Sequence, residues 1–153
     1  MKRLLPIALS LSATGLIAIA GYEGFSSKAY IPVPGDVPTV GFGHTDPRLK
    51  VGDMVTTQEA LKLLRGDVRE AEDAVRRCIR VPLTQGEFDA FVSLAYNIGG
   101  NAFCVSTLAK KANAGDYPGA CQELTRWVFF KGKKLKGLEN RRAEELRMCK
   151  GEE

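Results

Sequence analysis

Glu23 and the loop that follows it, residues 30–45, hold the side chains of this sequence that are best suited to chemistry. The loop contains three prolines, one aspartate (Asp36) and His44, which is the only histidine of the chain. A zinc site needs three or four protein ligands, so a single histidine makes one improbable. Carboxyl groups remain, and cleavage of a glycosidic bond uses one as an acid and usually a second to activate water. Glu23 is the candidate acid, because an apolar stretch precedes it and apolar surroundings favour a protonated carboxyl. The alternative from local sequence is that Glu23 only marks the point where the apolar stretch meets water.

The four cysteines, Cys78, Cys104, Cys121 and Cys149, have no C-x-x-C spacing. An even number of cysteines behind an N-terminal export segment predicts disulfide bonds rather than a metal site. Of the possible pairings, we expect Cys78 with Cys149 and Cys104 with Cys121. Cysteines held in disulfides cannot serve as the nucleophile of a Cys–His peptidase, so carboxylate chemistry is favoured further.

Residues 4–21 form an uncharged, largely apolar stretch of 18 residues behind Lys2 and Arg3. This length is at the lower limit for a membrane-spanning helix, and only eight of the residues are Leu or Ile, so insertion should be weak. We interpret residues 1–21 as a weak membrane anchor whose N-terminus stays in the cytoplasm. Two alternatives are a signal peptide cleaved after Ala20 and a buried helix of the folded domain. Cleavage would leave Glu23 beside a frayed chain end, a poor position for a catalytic group.

Hydrophobic periodicity predicts that most of the remaining chain is helical. One long helix is expected over residues 57–79, capped at Thr56 or Thr57, and another from Thr84 to Gly99. Further helices are expected at about 102–114, 117–128 and 138–149, whereas the turn-rich residues 30–55 predict a small β-hairpin unit. The expected fold class is therefore α+β and mainly α, with a small β-hairpin N-terminal lobe, a helical C-terminal lobe and a cleft between them.

Several motifs run along nearly the whole chain: YEGF at residues 22–25, PTVGFGHT at 38–45, PLTQ and DAFVS within 82–93, Trp127, and GL, RR and a glutamate within 137–145. Together they resemble the phage-type lysozymes of glycoside hydrolase family 24, and with the N-terminal stretch they are similar to signal-arrest-release (SAR) endolysins. The resemblance implies a lysozyme-like fold for residues 22–153. It also implies a muramidase that hydrolyses the β-1,4 bond between N-acetylmuramic acid and N-acetylglucosamine in peptidoglycan, for lysis of the host cell.

The same resemblance assigns roles to individual residues of this sequence. Glu23 matches the general acid, Thr39 matches a threonine that helps to hold the attacking water, and His44 matches a histidine that we interpret as structural. The family's aspartate is missing, since the corresponding positions are Pro32 or Val33. Asp36 is the only carboxylate in that loop.

Two accounts of Asp36 follow. In the favoured one, a Pro34-Gly35 type II turn carries Asp36 to the position of the missing aspartate. In the other, Asp36 is only a turn residue, and the protein is a lytic transglycosylase that uses Glu23 alone. A non-catalytic, membrane-tethered wall-binding protein is the alternative from a different class.

The expected partners are peptidoglycan as substrate and the inner membrane, which residues 4–21 would contact before release. The formal net charge of +4, including the basic run at residues 131–136, suits an anionic polymer, and we expect no nucleic acid, cofactor or metal. The expected state is a monomer that is held in the host inner membrane with its domain in the periplasm and is then released to the periplasm. After release, residues 16–22 are expected to refold as the helix that precedes Glu23.

Overall fold

The computed structural model describes residues 1–152 of the chain. Within this range there are eight α-helices and five short β-strands. The helices are α1 (Ala13–Glu23), α2 (Thr57–Asp67), α3 (Arg69–Cys78), α4 (Gln85–Ile98), α5 (Gly100–Cys104), α6 (Thr107–Asn113), α7 (Tyr117–Glu123) and α8 (Lys136–Lys150). The strands are β1 (Ser26–Tyr30), β2 (Thr39–Gly41), β3 (His44–Thr45), β4 (Phe129–Phe130) and β5 (Lys133–Lys134). The fold is mainly helical with small antiparallel sheets, as the sequence predicts.

The chain divides into two compact units. The β-unit comprises residues 16–69, and the helical unit comprises residues 1–15 together with the chain from residue 70 onward. The predicted β-containing and helical parts are therefore both present. The first 15 residues, however, belong to the helical unit.

The β-unit is built on the antiparallel sheet β1–β2–β3. Tyr30 pairs with Thr39, and Val40 pairs with His44. The buried centre of the sheet lies against α2, so closely that a Cβ atom added at Gly41 would lie 2.9 Å from Cβ of Ala60. Gly41 also has a φ of +65°, a conformation that L-residues with side chains rarely adopt, so this position requires glycine.

The single helix predicted over residues 57–79 is wrong, because the structure divides it between α2 and α3 at Val68. Thr56 caps α2 as predicted, with its hydroxyl accepting a hydrogen bond from the backbone N–H of Glu59 at 3.1 Å. Gly66 in the last turn of α2 lowers helix propensity just before the break. Hydrophobic periodicity continues through the break, which is why the sequence pattern did not reveal it.

The helical unit has α4 at its core, packed against α8. The N-terminus of α4 is the predicted Thr84 cap, here a full capping box with Glu87, and the helix ends at Gly99 with φ +94°. Phe88, Phe91 and Val92 of α4 are completely buried. The buried Glu145 of α8 accepts hydrogen bonds from Ser93 at 2.6 Å and Arg142 at 2.8 Å. Burial raises the pKa of the Glu145 carboxyl, and the neighbouring Arg142 opposes that shift.

The predicted disulfide pairing is wrong. Cys78 pairs with Cys104 and Cys121 pairs with Cys149, with Cα–Cα distances of 5.3 and 5.7 Å. Helix α7 packs against α8, which brings Cys121 and Cys149 together. Pairing depends on which helices are neighbours in space, and sequence spacing does not contain that information.

The N-terminal segment is part of the folded helical unit. Leu4 forms two backbone hydrogen bonds with Leu83, at 2.8 and 2.7 Å, and Arg3 forms an ion pair with Glu87 at 2.8 Å. Helix α1 then includes residues 16–22, where a helix was expected. Within residues 1–152, none of the helices is both long and apolar enough to cross a membrane.

Four polar side chains of α3 and α4 bind the backbone of residues 9–12, and we call Glu72, Arg76, Gln85 and Asp89 the docking site. The N–H of Leu11 donates to Glu72 at 2.8 Å, and the carbonyl of Leu9 accepts from Arg76 at 2.9 Å. The carbonyl of Ser10 accepts from Gln85 at 2.9 Å. Both acidic members of the docking site are buried.

Asp89 has a further role at the start of α1. Its carboxylate accepts hydrogen bonds from both the backbone N–H, at 3.0 Å, and the hydroxyl of Ser12. The same hydroxyl accepts from the N–H of Gly15 at 3.0 Å and thereby caps α1. Burial raises the pKa of Asp89, and the hydrogen bonds from Ser12 oppose that shift.

Candidate active site

Glu23, the predicted acid, is the last residue of α1 and lines a cavity of about 350 Å³ in the β-unit. The remaining wall residues are Gly24, Phe25, Ser26, Tyr30, Gly41 and Gly43. A Cβ atom added at Gly43 would lie 3.5 Å from Oε2 of Glu23, so the carboxyl group lies directly beside the turn between β2 and β3. The cavity thus brings together the two motifs, YEGF and PTVGFGHT, that the sequence singled out.

The end of α1 is set by its local sequence. Gly24, with φ +74°, adopts the left-handed conformation that commonly ends a helix, and β1 starts two residues later. A glutamate at the C-terminal end of a helix is disfavoured by the helix dipole. Helix stability therefore does not explain why a glutamate occupies position 23. Functional residues commonly break such local preferences.

Aromatic side chains give the cavity an apolar wall. Phe25 packs on Phe42 with the ring centroids 5.1 Å apart, and both Phe25 and Tyr30 keep nearly half of their surface exposed. Ligand sites commonly combine exposed aromatic surface with a few polar groups. The wall residues with polar side chains are Glu23, Ser26 and Tyr30.

Thr39 is buried in β2, and its hydroxyl donates to the carbonyl oxygen of Val37 at 3.3 Å. It does not itself line the cavity, but its cross-strand partner Tyr30 does. Paired residues on neighbouring strands lie about 5 Å apart. Thr39 is therefore next to Tyr30, which forms part of the cavity wall.

Asp36 lies in a tight turn that has the predicted form. The N–H of Asp36 donates to the carbonyl of Val33 at 2.9 Å, and Gly35 has a φ of +85°, as a type II turn with Pro34 at its second position requires. Asp36 is exposed, and its Oδ1 accepts from the N–H of Val37 at 2.9 Å. It is not among the residues that line the Glu23 cavity.

A second carboxylate, Asp46, follows β3 and was not considered from the sequence. Its N–H donates to the carbonyl of Pro38 at 3.2 Å, so it lies near the start of β2. Hydrogen bonds from Arg48 lower the pKa of the Asp46 carboxyl to about 2. Both oxygens of this carboxylate accept hydrogen bonds from Arg48, at 2.9 and 2.8 Å, so Asp46 is a poor candidate for the water-activating base.

His44 was expected to be structural, and its position supports that expectation. Its Nδ1 lies 2.9 Å from Oδ2 of Asp67, the last residue of α2, so the pair ties β3 to α2 within the β-unit. The sequence did not indicate Asp67, because it lies in the middle of what the pattern predicts to be one ordinary helix. Among residues 1–152, no cluster of three or more His, Cys, Asp or Glu side chains is arranged to hold a metal ion.

The acidic side chains of the docking site were also missed. A usable signal existed for Glu72, which is four residues beyond Val68 and eight beyond Leu64 and therefore lies on the apolar face of the helical pattern. An acidic residue on an apolar face is expected to have a buried polar partner. Here that partner is the backbone of Leu11.

Comparison with known proteins gives consistent results. Residues 20–145 match the model of the family described as Phage lysozyme. The chain is 43% identical over 141 residues to an endolysin of Acyrthosiphon pisum secondary endosymbiont phage 1, covering 90% of this chain and 95% of the relative. It is 42% identical over 124 residues to the SAR-endolysin of Escherichia phage Mu, covering 81% and 71%.

A solved structure, the endolysin from Escherichia coli O157:H7 phage FAHEc1, superposes with a TM-score of 0.82 at 39% identity, covering 93% of this chain and 94% of that one. The chain spans about half the length of the endolysins from two Bacillus phages that it also matches.

Proposed function

Since the chain belongs to the phage lysozyme family, we propose that it is an endolysin that hydrolyses the β-1,4 bond between N-acetylmuramic acid and N-acetylglucosamine in peptidoglycan and so lyses the host cell. The observation that carries the proposal is Glu23, which lines a cavity beside Gly43 within the part of the chain that matches the family. The positive net charge of +4 favours encounter with an anionic wall polymer.

Glu23 is the general acid of the proposed mechanism. It donates its proton to the oxygen of the leaving sugar as the glycosidic bond breaks, while positive charge develops on the other sugar. The rings of Phe25 and Tyr30 provide apolar surface in the same cavity. On the opposite face of the sugar, Asp36 and Thr39 position and activate a water molecule, and the configuration at the sugar carbon is inverted.

A second candidate activity is lytic transglycosylation, which needs only the acid because a hydroxyl group of the sugar is the nucleophile. The exposure of Asp36 and its absence from the cavity wall favour this alternative. The two activities leave different ends on the glycan. Hydrolysis leaves reducing ends, and transglycosylation leaves 1,6-anhydro ends.

Mass spectrometry of digested murein tests the proposal. We expect the purified full-length protein to release muropeptides with reducing muramic acid ends. Predominant 1,6-anhydro products would instead establish the transglycosylase. Intact murein with tightly bound protein would support a non-catalytic wall-binding role.

We further propose that residues 1–21 anchor the protein in the inner membrane, with the N-terminus in the cytoplasm, until the segment leaves the bilayer and the protein is released to the periplasm. The similarity to SAR-endolysins supports this, as does the weak apolar stretch of residues 4–21. The docking site offers the released segment an alternative set of partners: three polar side chains that bind its backbone, and Asp89, which binds Ser12, whose hydroxyl caps α1.

These two states exclude each other. A spanning segment keeps residues 9–12 in the bilayer, where they cannot reach Glu72 or Asp89. When the segment is docked, Asp89 binds Ser12, the residue whose hydroxyl caps α1. The helix that ends at Glu23 can then form from its first turn. The docking site therefore sets the balance between the anchored and the released protein.

Two substitutions alter this balance by independent routes. Thr14 is exposed in α1, so Thr14→Leu makes the segment more apolar without touching the docking site, and a central leucine favours insertion by about 0.5 kcal/mol. Asp89→Ala removes the docked partner of Ser12 and leaves the apolar stretch unchanged. We expect both variants to delay host lysis and to increase the fraction of protein that sediments with membranes.

Thr14→Asn is the matched control and should not delay lysis. Gly15 is less suitable for such a test, because a Cβ atom there would lie 2.7 Å from Cδ1 of Leu11 and 2.9 Å from Cγ of Asp89. Normal lysis timing for Thr14→Leu would contradict the weak anchor. Normal timing for Asp89→Ala would remove the docking site from the mechanism.

A further inference from the structure

The hairpin formed by β4 and β5, residues 129–134, exposes two adjacent aromatic rings, and we call it the Phe–Lys hairpin. Phe129 is 62% exposed and Phe130 is 59% exposed. Phe129 pairs with Lys134, and Phe130 pairs with Lys133. Paired residues of an antiparallel ladder share a face, so each face of the hairpin presents one phenylalanine beside one lysine.

The hairpin holds these rings in a defined position. Its turn consists of Lys131 and Gly132, both with positive φ, as in the two-residue turns that suit the twist of a hairpin. Its base is closed by a hydrogen bond from the N–H of Leu135 to the carbonyl of Val128 at 3.0 Å, and Val128 is buried. The exposed rings thus project from a base that is fixed in the helical unit.

Folding does not account for the exposed rings. Large apolar side chains contribute to stability by leaving water, and these two remain mostly in it. A two-stranded hairpin is also only marginally stable by itself. Exposed aromatic surface next to charged groups is characteristic of an interaction site.

The composition of the segment indicates the partner. Residues 129–136 consist only of Phe, Leu, Lys and Gly, with lysines at positions 131, 133, 134 and 136. Lysine donates hydrogen bonds but accepts none, and the segment has no hydroxyl, amide or carboxylate side chain with which to match the hydroxyl groups of a sugar. Phenylalanine and lysine together suit the boundary of an anionic bilayer, where rings enter the acyl region and ammonium groups meet lipid phosphates.

We propose that the Phe–Lys hairpin binds the surface of a membrane that contains anionic phospholipid. This contact is separate from the apolar stretch of residues 4–21 and requires no bilayer-spanning segment. It would hold the protein at the membrane surface even when the N-terminal segment is docked. It does not depend on the catalytic activity of Glu23.

Vesicle co-sedimentation of the full-length protein tests this inference. The probes are vesicles of phosphatidylcholine with phosphatidylglycerol and vesicles of phosphatidylcholine alone. One variant, Phe129→Ser with Phe130→Ser, removes both rings. A second, Lys133→Glu with Lys136→Glu, reverses two charges.

Each variant has a matched control elsewhere on the surface. Val51→Ser with Val105→Ser removes two side chains that are 68% and 73% exposed, and Lys50→Glu with Lys62→Glu makes the same charge change at exposed positions. Since all these positions are exposed, melting temperatures should remain near that of the unmodified protein. Digestion of solubilised murein is measured in parallel.

The unmodified protein is expected to bind the anionic vesicles at least about tenfold more tightly than the neutral ones. A lysine near an anionic surface contributes about fivefold in affinity, so the lysine variant should lose about 25-fold or more, and the phenylalanine variant at least about tenfold. The matched controls should bind within about twofold of the unmodified protein.

Three results would overturn the inference. The first is equal binding to neutral and anionic vesicles, and the second is unchanged vesicle binding by both hairpin variants. The third is loss of murein digestion by the hairpin variants with vesicle binding kept, which would assign the hairpin to substrate binding.

Discussion

Glu23→Gln should lower murein digestion by about 10³-fold, within the range expected when a general acid is lost. Glutamine has nearly the same shape as glutamate, so the end of α1 and the contact with Gly43 should be kept. Only the transferable proton is removed. A leaving sugar oxygen that cannot be protonated must depart as an alkoxide, and the barrier rises accordingly.

The measurement is the initial rate of digestion of purified murein, together with binding to insoluble murein and a thermal melt. Glu70→Gln, at an exposed position of α3, is the matched control and should digest normally. Retained binding with lost digestion would identify Glu23 as catalytic. Digestion by Glu23→Gln at a near-normal rate would show that another group is the proton donor.

The parts of the fold that could be predicted from the sequence are those set by local chemistry. The caps at Thr56 and Thr84, the end of α4 at Gly99 and the Pro34-Gly35 turn each depend on a few neighbouring residues. Glu23 and the turn at Gly43 were singled out for a different reason, the resemblance of two short motifs to those of the phage-type lysozymes. The structure adds that these two motifs meet at one cavity.

Features set by distant contacts could not be predicted. The disulfide pairing depends on which helices are neighbours, and the break at Val68 interrupts an apolar pattern that continues on both sides of it. The N-terminal segment shows the same limit. Its sequence describes only a weakly apolar stretch. Its docked conformation depends on carboxylates far away in the sequence, for example that of Glu72, which is 61 positions from its partner Leu11.

Asp36 is the proposed water-activating base, and its carboxylate is accessible to water. Asp36 is exposed in a loop that three prolines make stiff. Its Oδ1 accepts one hydrogen bond, from Val37, whereas an ionised carboxylate can accept about four. The carboxylate therefore has acceptor capacity for a water molecule.

Asp36→Asn should lower the rate of murein digestion by about 10²–10⁴-fold, because asparagine can still position water but cannot take its proton. The amide oxygen of asparagine can accept the same hydrogen bond from Val37, so the turn should persist and substrate binding should change little. Asp53→Asn is the matched control and should leave the rate unchanged, because Asp53 is also exposed and its carboxylate also accepts a hydrogen bond from a backbone N–H, that of Lys50 at 2.8 Å.

The products of the Asp36→Asn reaction separate the remaining mechanisms. A near-normal rate with 1,6-anhydro ends would mean that Glu23 acts alone and that the sugar supplies the nucleophile. A near-normal rate with reducing ends would mean that water is activated without Asp36, and Thr39, the cross-strand partner of the cavity residue Tyr30, would be the next residue to replace. A large loss of rate with reducing ends in the residual product would mean that the reaction is still hydrolysis and that Asp36 speeds it. That result would identify Asp36 as the base opposite Glu23, although its turn does not line the cavity.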